Sequence, residues 1–173
     1  MLARLIDRTW RCVALALLLA PFASALAADV PAPRRGSGLP VPRHASLRGE
    51  EVNVRTGPGS RYPIDWVYKR RGMPVEIVAE YDNWRKIRDW QGAGGWVNQG
   101  LLSGKRHVVV TGPKAVLRKT PSPQATEVAR IEQDVVAQIK TCSADWCRVQ
   151  AGPHVGWIER QNVWGIYKGE TIN

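Results

Sequence analysis

A short strand breaks into a tight turn at Val52-Asn53-Val54-Arg55-Thr56-Gly57-Pro58-Gly59. Apolar residues two positions apart indicate one buried face of a strand, and the Gly-Pro-Gly sequence then supplies turn chemistry. Alternating apolar and polar residues continue downstream to Gly95-Trp96-Val97, which follows a glycine-rich turn. No long segment shows sustained helical spacing. The sequence therefore predicts an all-β fold.

The same layout occurs a second time in the chain, as expected for a tandem repeat of one small domain. The matched segments are Val54-Arg55 with Leu117-Arg118, Trp84 with Trp146, and Trp96 with Trp157. The second copy differs at its first turn, where Thr120-Pro121-Ser122-Pro123 replaces Thr56-Gly57-Pro58-Gly59. A ligand contact made by the first turn is therefore not expected to recur in the second copy.

Together these motifs resemble the bacterial SH3 (SH3b) family. The resemblance implies two tandem small SH3-like β-barrels, which bind ligands rather than catalyse and act most often at the bacterial cell wall. We place the first barrel at residues 46–104 and the second, divergent barrel at residues 107–168. The resemblance also implies a single-turn helix around residues 98–102 that closes the first barrel, and it places the turn carrying Arg55 and Arg61 at a binding groove.

Residues 1–27 are predicted to be an export signal. Arg4, Arg8 and Arg11 precede an apolar run from Cys12 to Ala20, and Ala25-Leu26-Ala27 offers the small residues of a cleavage site. The apolar run is too short to span a bilayer, so no permanent membrane anchor is expected. The mature protein is predicted to be periplasmic or extracellular.

The chain is strongly basic, with 25 Lys and Arg against 15 Asp and Glu and a net charge of +10. Removal of the signal takes away three arginines and one aspartate, so the mature protein keeps a charge of about +8. Residues 28–45 contain several prolines and arginines but almost no large apolar side chains, and we expect them to form a disordered linker.

Two cysteines, Cys142 and Cys147, remain after the signal is removed, and an even pair in an oxidising compartment predicts a disulfide. In the repeat alignment they occupy the positions of Glu80 and Arg85. One hairpin is therefore expected to be held by a disulfide and the other by an exposed ion pair. Strict alternation places the two sulfurs on opposite faces, so the hairpin must shift phase for the bond to form.

Neither an active site nor a cofactor or metal site is predicted. A single Cys-x4-Cys pair with histidines scattered elsewhere lacks the spacing of a zinc site, and paired cysteines cannot act as nucleophiles. The turn at Gly57-Pro58-Gly59 follows a strand and opens no helix that would cradle a phosphate. The sequence therefore favours a binding protein over an enzyme.

Tryptophans that recur in both copies are predicted to be structural framework, since rings of this size dominate the burial of a small domain. These are Trp84, Trp96, Trp146 and Trp157. Trp66 and Tyr68 share strand parity on either side of Val67, which is expected to face inward, so the two rings are predicted to project together. The predicted ligand-binding residues are Arg55, Arg61, Tyr62, Trp66 and Trp90.

These features predict an exported, non-enzymatic module that binds peptidoglycan or a peptide at the cell envelope. Sugar faces stack on aromatic rings, and stem-peptide carboxylates suit arginine forks. Basic residues interleaved with aromatics are also typical of nucleic-acid binders, but that partner is not expected for an exported protein. The alternative is a periplasmic scaffold, in which the exposed aromatics form a protein interface.

Overall fold

The computed structural model describes residues 36–173; the predicted export signal and residues 28–35 of the predicted linker lie outside this range. In the described part, β-strands and turns are accompanied by two single-turn 3-10 helices and by no α-helix. None of its helices is long and apolar enough to cross a membrane. The predicted all-β fold is confirmed.

The first barrel contains seven strands and one 3-10 helix. They are β1 (Arg43–Leu47), β2 (Val52–Arg55), β3 (Ile64–Tyr68), β4 (Pro74–Tyr81), β5 (Trp84–Arg88), β6 (Gly94–Asn98), the helix (Gln99–Leu101) and β7 (Leu102–Ser103). The strands form one sheet in the order β3-β2-β6-β5-β4-β1-β7. The helix falls inside the predicted window, and the side chain of Asn98 caps it by accepting from the Gly100 amide.

The second barrel repeats this arrangement. Its elements are β8 (His107–Val110), β9 (Ala115–Arg118), β10 (Glu127–Ile131), β11 (Val136–Ser143), β12 (Trp146–Ala151), β13 (His154–Glu159), a 3-10 helix (Arg160–Asn162) and β14 (Val163–Trp164). The sheet order is β10-β9-β13-β12-β11-β8-β14, so each strand has the place of the strand seven positions earlier. The tandem repeat is confirmed.

Each barrel has its own core, built from aliphatic side chains at alternate strand positions. The first core includes Leu47, Val52, Val54, Val75, Ile77, Ile87 and Val97. The second includes Val108, Val110, Leu117, Ile139, Val149 and Ile158, together with the two half-cystines. No tryptophan is among the buried residues of either core, including the four tryptophans predicted as framework.

The boundary predicted between linker and first barrel is too late in the chain. Strand β1 starts at Arg43, and it pairs with β4 through partners such as Ala45 and Val75. His44, Ala45 and Ser46 are all buried. Because this strand buries a histidine, an alanine and a serine, it lacks the apolar alternation by which strands are recognised.

The hairpin between β11 and β12 carries the predicted disulfide, with an S–S distance of 2.04 Å between Cys142 and Cys147. The two cysteines are direct cross-strand partners, because a register shift between Ile139 and Thr141 changes the phase of β11. Glu80 and Arg85 are the corresponding partners in the first barrel. Their ion pair is buried, not exposed, with 9% and 4% of the side-chain surface accessible.

The described residues of both barrels fall within one compact unit. His107 Nδ1 of the second barrel lies 3.0 Å from the Ser46 hydroxyl of the first, and Arg70 donates to the Asp134 carbonyl at 2.5 Å. A substituent on Gly165 would lie 2.6 Å from the His107 carbonyl and 3.0 Å from the Pro74 side chain. The short joint at 103–106 therefore connects barrels that are packed against each other.

Candidate functional site

One row of side chains crosses the outer face of the first barrel. Backbone register pairs Arg55 with Trp96, and Trp96 with Lys86. Directly paired residues of antiparallel strands lie on the same face of the sheet. The row faces away from the core, because the strand neighbours of these residues are buried: Val54, Val97, Arg85 and Ile87. The result is an aromatic ring between two cationic side chains.

The second barrel carries the same kind of row. Trp157 is the register partner of both Arg118 and Arg148. Leu117 and Val149, which precede and follow the two arginines, belong to the core, as does Ile158. Both barrels therefore present an outward-facing tryptophan flanked by basic residues.

The predicted framework residues Trp84, Trp96, Trp146 and Trp157 do not lie in the core of either barrel. All four are only partly buried, and none packs against either core cluster. The reason is strand parity: Trp84 precedes the buried Arg85, and Trp146 precedes the buried Cys147. Aliphatic residues fill the interior, so the rings are left on the outer faces, where they can contact a ligand.

Three of the five predicted ligand-binding residues meet at the turn after β2. The Arg55 guanidinium donates to the Tyr62 carbonyl at 2.7 Å. The Arg61 guanidinium lies over the Tyr62 ring, 5.5 Å from its centroid. This ring packs on Gly57, where any Cβ would lie 2.4 Å from a ring carbon. The turn thus holds Tyr62 and two arginines beside the outer row.

Trp66 and Trp90 do not join this group. Trp66 and Tyr68, with ring centroids 5.6 Å apart, both pack against the first core, whereas Val67 is exposed. The parity predicted for β3 was therefore inverted. Trp90 also packs against the core, and it lines a separate cleft between the barrels. Rings without an aromatic counterpart in the second copy thus pack against the core, partly buried.

Sequence reasoning missed a groove on the second barrel, with a volume of about 690 Å³. Residues from the β9–β10 turn, the β11–β12 turn, the second 3-10 helix and the C-terminal tail line it. They include Pro123, Asp145, Trp146, Glu159, Gln161 and Lys168. One signal in the sequence was that Asp145-Trp146 repeats the position of Asn83-Trp84. Because Trp146 was interpreted as structural framework, it was not considered as a ligand-binding residue.

The groove contains charged groups of both signs beside the Trp146 ring. Within residues 36–173, neither the Asp145 carboxylate nor the Lys168 ammonium has a hydrogen-bonding partner or an ion pair. Arg160, at the base of the groove, is fully engaged: it donates to the carbonyls of Ala144 at 2.8 Å, Tyr167 at 2.6 Å and Glu170 at 2.9 Å. The free charges suit a ligand that carries both an amino group and a carboxylate.

Amides occupy the equivalent positions in the first barrel. Trp84 pairs with Asn98, as Trp146 pairs with Glu159. The backbone N–H of Gln99 donates to the backbone carbonyl of Asn83 at 2.8 Å. The backbone N–H of Arg160 donates to the backbone carbonyl of Asp145 in the same way. The first barrel thus presents amides where the second presents charged groups.

No cluster of three or more histidine, cysteine, aspartate or glutamate side chains in residues 36–173 is placed to hold a metal ion. Cys142 and Cys147 are joined to each other.

Comparison with known proteins agrees with this architecture. A family model for the bacterial SH3 domain matches residues 48–104 and 111–165. A putative N-acetylmuramoyl-L-alanine amidase of Bacillus subtilis (strain 168), YrvJ, is 26% identical over 130 residues, which cover 69% of this chain and 25% of the amidase. This chain thus spans about a quarter of the length of that relative.

Two solved structures from Trichomonas vaginalis also resemble the chain at a low level. NlpC2 is 13% identical with a TM-score of 0.32 and covers 73% of this chain, and NlpC1 is 14% identical with the same TM-score and covers 76%; in both cases 48% of the solved chain is matched. The two family matches, by contrast, span most of the described residues, and each covers six of the seven strands of one sheet. The chain therefore belongs to the bacterial SH3 domain family, in two tandem copies.

Proposed function

We propose that this protein is an exported, non-enzymatic module that binds peptidoglycan at the cell envelope. The observation that carries the proposal is the outward-facing row of one tryptophan between two basic side chains, present in both barrels. Tryptophan rings offer flat apolar faces for sugar rings, and guanidinium groups match carboxylates in a bidentate geometry. A glycan strand bearing short peptides supplies both partners.

Membership in a family of binding modules favours a role in attachment, and the disulfide favours an oxidising compartment. The relative named as an amidase carries its activity in a chain of which this protein matches only a quarter. We therefore assign binding, not catalysis, to the two barrels. The net charge of about +8 left after removal of the predicted signal also steers the protein toward an anionic polymer.

The first barrel is proposed to carry most of the affinity. It adds the Arg61–Tyr62 turn to the row of Arg55, Trp96 and Lys86, so that two rings and three cations lie on neighbouring strands and their connecting turn. The second barrel offers a different surface, since its groove places the free Asp145 carboxylate and Lys168 ammonium beside Trp146. That surface suits the amino and carboxylate groups of a stem peptide.

Co-sedimentation of the mature protein with purified sacculi tests this function. Trp96→Ala should weaken pelleting by about five- to a hundredfold in affinity, corresponding to roughly 1 to 3 kcal/mol for an aromatic anchor. Circular dichroism spectra like those of the wild type would show that the fold is retained. Val67→Ala, an exposed position outside the row, serves as the matched control. Wild-type pelleting by a Trp96→Ala, Trp157→Ala double variant would overturn the proposal.

A scaffold role is the second candidate, and the exposed edge strands favour it. β3 and β10 each lie at the end of a sheet, and they expose Ile64, Val67 and Val128 at 47%, 38% and 41%. Edge strands with apolar side chains are templates for pairing with another chain. Two results together would establish this role instead: the wild-type protein does not bind sacculi, and it self-associates in a way that the Ile64→Lys variant does not.

A further inference from the structure

A cleft of about 350 Å³ lies between the two barrels, and its lining includes none of the residues of the outer rows. His44, Arg88 and Trp90 of the first barrel line one side, and Trp164, Tyr167 and Lys168 of the second line the other. Ligand sites in proteins start at about this volume. The cleft exists only because two copies are packed together, so a single domain of this family lacks it.

The walls of the cleft are held in place by contacts between the barrels. The Tyr167 hydroxyl donates to Glu76 Oε1 at 2.7 Å. The His44 ring lies 4.3 Å from the Tyr167 ring and 4.9 Å from the Trp164 ring, measured between centroids. A ligand would therefore enter a site that is already formed, with little ordering cost on binding.

The acidic side chains of the cleft are already engaged. Asp89 accepts from the Tyr68 hydroxyl and from the amides of Gln91 and Ala93, each at 2.9 Å. Glu76 accepts from Tyr167 and from the Nε of Arg88. Burial raises the pKa of Glu76, but these hydrogen bonds outweigh it and lower the pKa. Glu76 is thus ionised and satisfied.

Among the described residues, the polar groups of the cleft that remain available for a ligand belong to two cations and one neutral histidine. Arg88 uses only its Nε, and both Nη groups remain available. Lys168 has no partner within residues 36–173. His44 is buried, and its Nδ1 makes no hydrogen bond. Burial, followed by the charge of Arg106, lowers the pKa of His44 to about 4, so its ring is neutral and either nitrogen can carry the proton.

We propose that this cleft is a second binding site, specific for a carboxylate presented beside a small apolar side chain or a sugar ring. The Arg88 Nη groups and the Lys168 ammonium bind the carboxylate, and the Trp90 and Trp164 rings pack on the neighbouring apolar side chain or sugar ring. The site is separate from the outer rows and does not depend on the function proposed for them. Both a peptide C-terminus and an acidic amino sugar carry the required group.

Two probes distinguish the sources: N-acetyl-alanyl-alanine for the peptide carboxylate and N-acetylmuramic acid for the acidic sugar. Each is titrated into the mature protein, with the indole N–H signals of the tryptophans followed by nuclear magnetic resonance. We expect at least one probe to shift Trp90 and Trp164, with Trp96 and Trp157 unmoved. N-acetyl-alanyl-alanine amide, which lacks the carboxylate, should bind at least about tenfold more weakly than the acid.

Variants identify the cations. Lys168→Gln should weaken binding about tenfold, whereas Lys114→Gln, an exposed lysine outside the cleft, should leave it unchanged. Arg88→Lys keeps a positive partner for Glu76 but loses the planar fork, so it should weaken binding while the unfolding midpoint stays close to that of the wild type.

Three results would overturn the proposal: no binding of either probe at millimolar concentration, equal binding by Lys168→Gln and Lys114→Gln, or shifts confined to Trp146. The last would place the ligand in the groove of the second barrel, which Lys168 also lines. Failure of the outer rows to bind sacculi would leave these results unaffected, so the two proposals fail separately.

Discussion

The same hairpin end is fastened in two ways in the two barrels. In the first, buried Glu80 forms an ion pair with Arg85, with 3.1 Å between Nε and Oε1, and also binds Arg43 and the Ser37 hydroxyl. In the second, Cys142 and Cys147 form a covalent bond at the corresponding positions. An ionic cluster and a disulfide thus occupy one site of one fold.

The two barrels also differ in which element supplies the guanidinium at this turn. In the first barrel, Arg85 of β5 donates to the Asp82 carbonyl at 2.8 Å. In the second, Cys147 takes that position in the strand, and Arg160 of the 3-10 helix donates to the corresponding carbonyl of Ala144, also at 2.8 Å. In both barrels a guanidinium therefore donates to the carbonyl at this turn, from a different element in each.

Each fastening also attaches a different terminal segment. Glu80 binds Ser37, which precedes β1. Cys142 forms a two-way backbone bridge with Ile172, with N–O distances of 2.8 and 3.0 Å, and Arg160 binds the carbonyls of the tail. Consequently the second barrel extends beyond residue 168, its predicted end.

Replacing Arg85 by Leu should have the largest effect on stability. It leaves a buried carboxylate with only part of its compensation, and we expect a loss of about 3 to 5 kcal/mol in the free energy of unfolding. Urea unfolding followed by tryptophan fluorescence measures it. A Glu80→Cys, Arg85→Cys double variant should recover much of the loss under oxidising conditions, since the pair has the register of Cys142 and Cys147. A loss below about 1 kcal/mol in Arg85→Leu would contradict the comparison.

Acid should weaken the contact between the barrels through His44. Its folded pKa is about 4 and its unfolded pKa is 6.5, because burial and then Arg106 disfavour the protonated ring. The neutral ring therefore contributes fully above pH 6.5, and up to about 3 kcal/mol is lost as the pH falls toward 4. The charges of Glu76 and Glu170 raise the pKa of His44 and the charge of Arg88 lowers it. The value of about 4 includes these effects.

Stability measured between about pH 7.5 and 5.5 tests this effect, above most of the range in which carboxyl groups titrate. His44→Phe should flatten most of the pH dependence. His107, whose pKa burial also lowers, contributes in the same direction and should account for the remainder. An unchanged slope in His44→Phe would show that His44 is not the group responsible.

Removal of the disulfide should cost less than loss of the buried ion pair. Replacing Cys142 and Cys147 by Ser frees a short loop in the unfolded chain, and a decrease of about 2 kcal/mol is expected. Reduction of the wild type should reproduce this shift, whereas reductant should not change the double variant. Thiols that react with an alkylating agent in the unreduced, denatured protein would rule out the bond.

The smallest effect on stability should come from an outer-face tryptophan. Trp84→Ala should lower the free energy of unfolding by about 1 kcal/mol or less, because its ring does not pack on the core. Trp66→Ala should cost about 2 kcal/mol or more, since that ring does. The two variants are compared by urea unfolding, and the reverse order would restore the interpretation of Trp84 as framework.

Much of the fold was predictable because its signals are local. Turn chemistry at 57–59 and 91–95, period-two alternation and the repeated tryptophans identify an all-β tandem, and an even cysteine count identifies the disulfide. Of the predicted site, the group of Arg55, Arg61 and Tyr62 comes together, because these residues belong to one turn and its flanking strand.

Only the tertiary structure decided which face each ring occupies and what the two barrels form together. The register shift after Ile77 changes the phase of β4, and in β3 the aromatic residues, not Val67, face the core, so parity and apolar character counted along the chain do not identify the inner face. The inter-barrel cleft and the tail pairing at Ile172 join residues far apart in the chain. Local patterns specify strands and turns because those depend on neighbouring residues; burial and partnership depend on packing between distant segments, which no local pattern records.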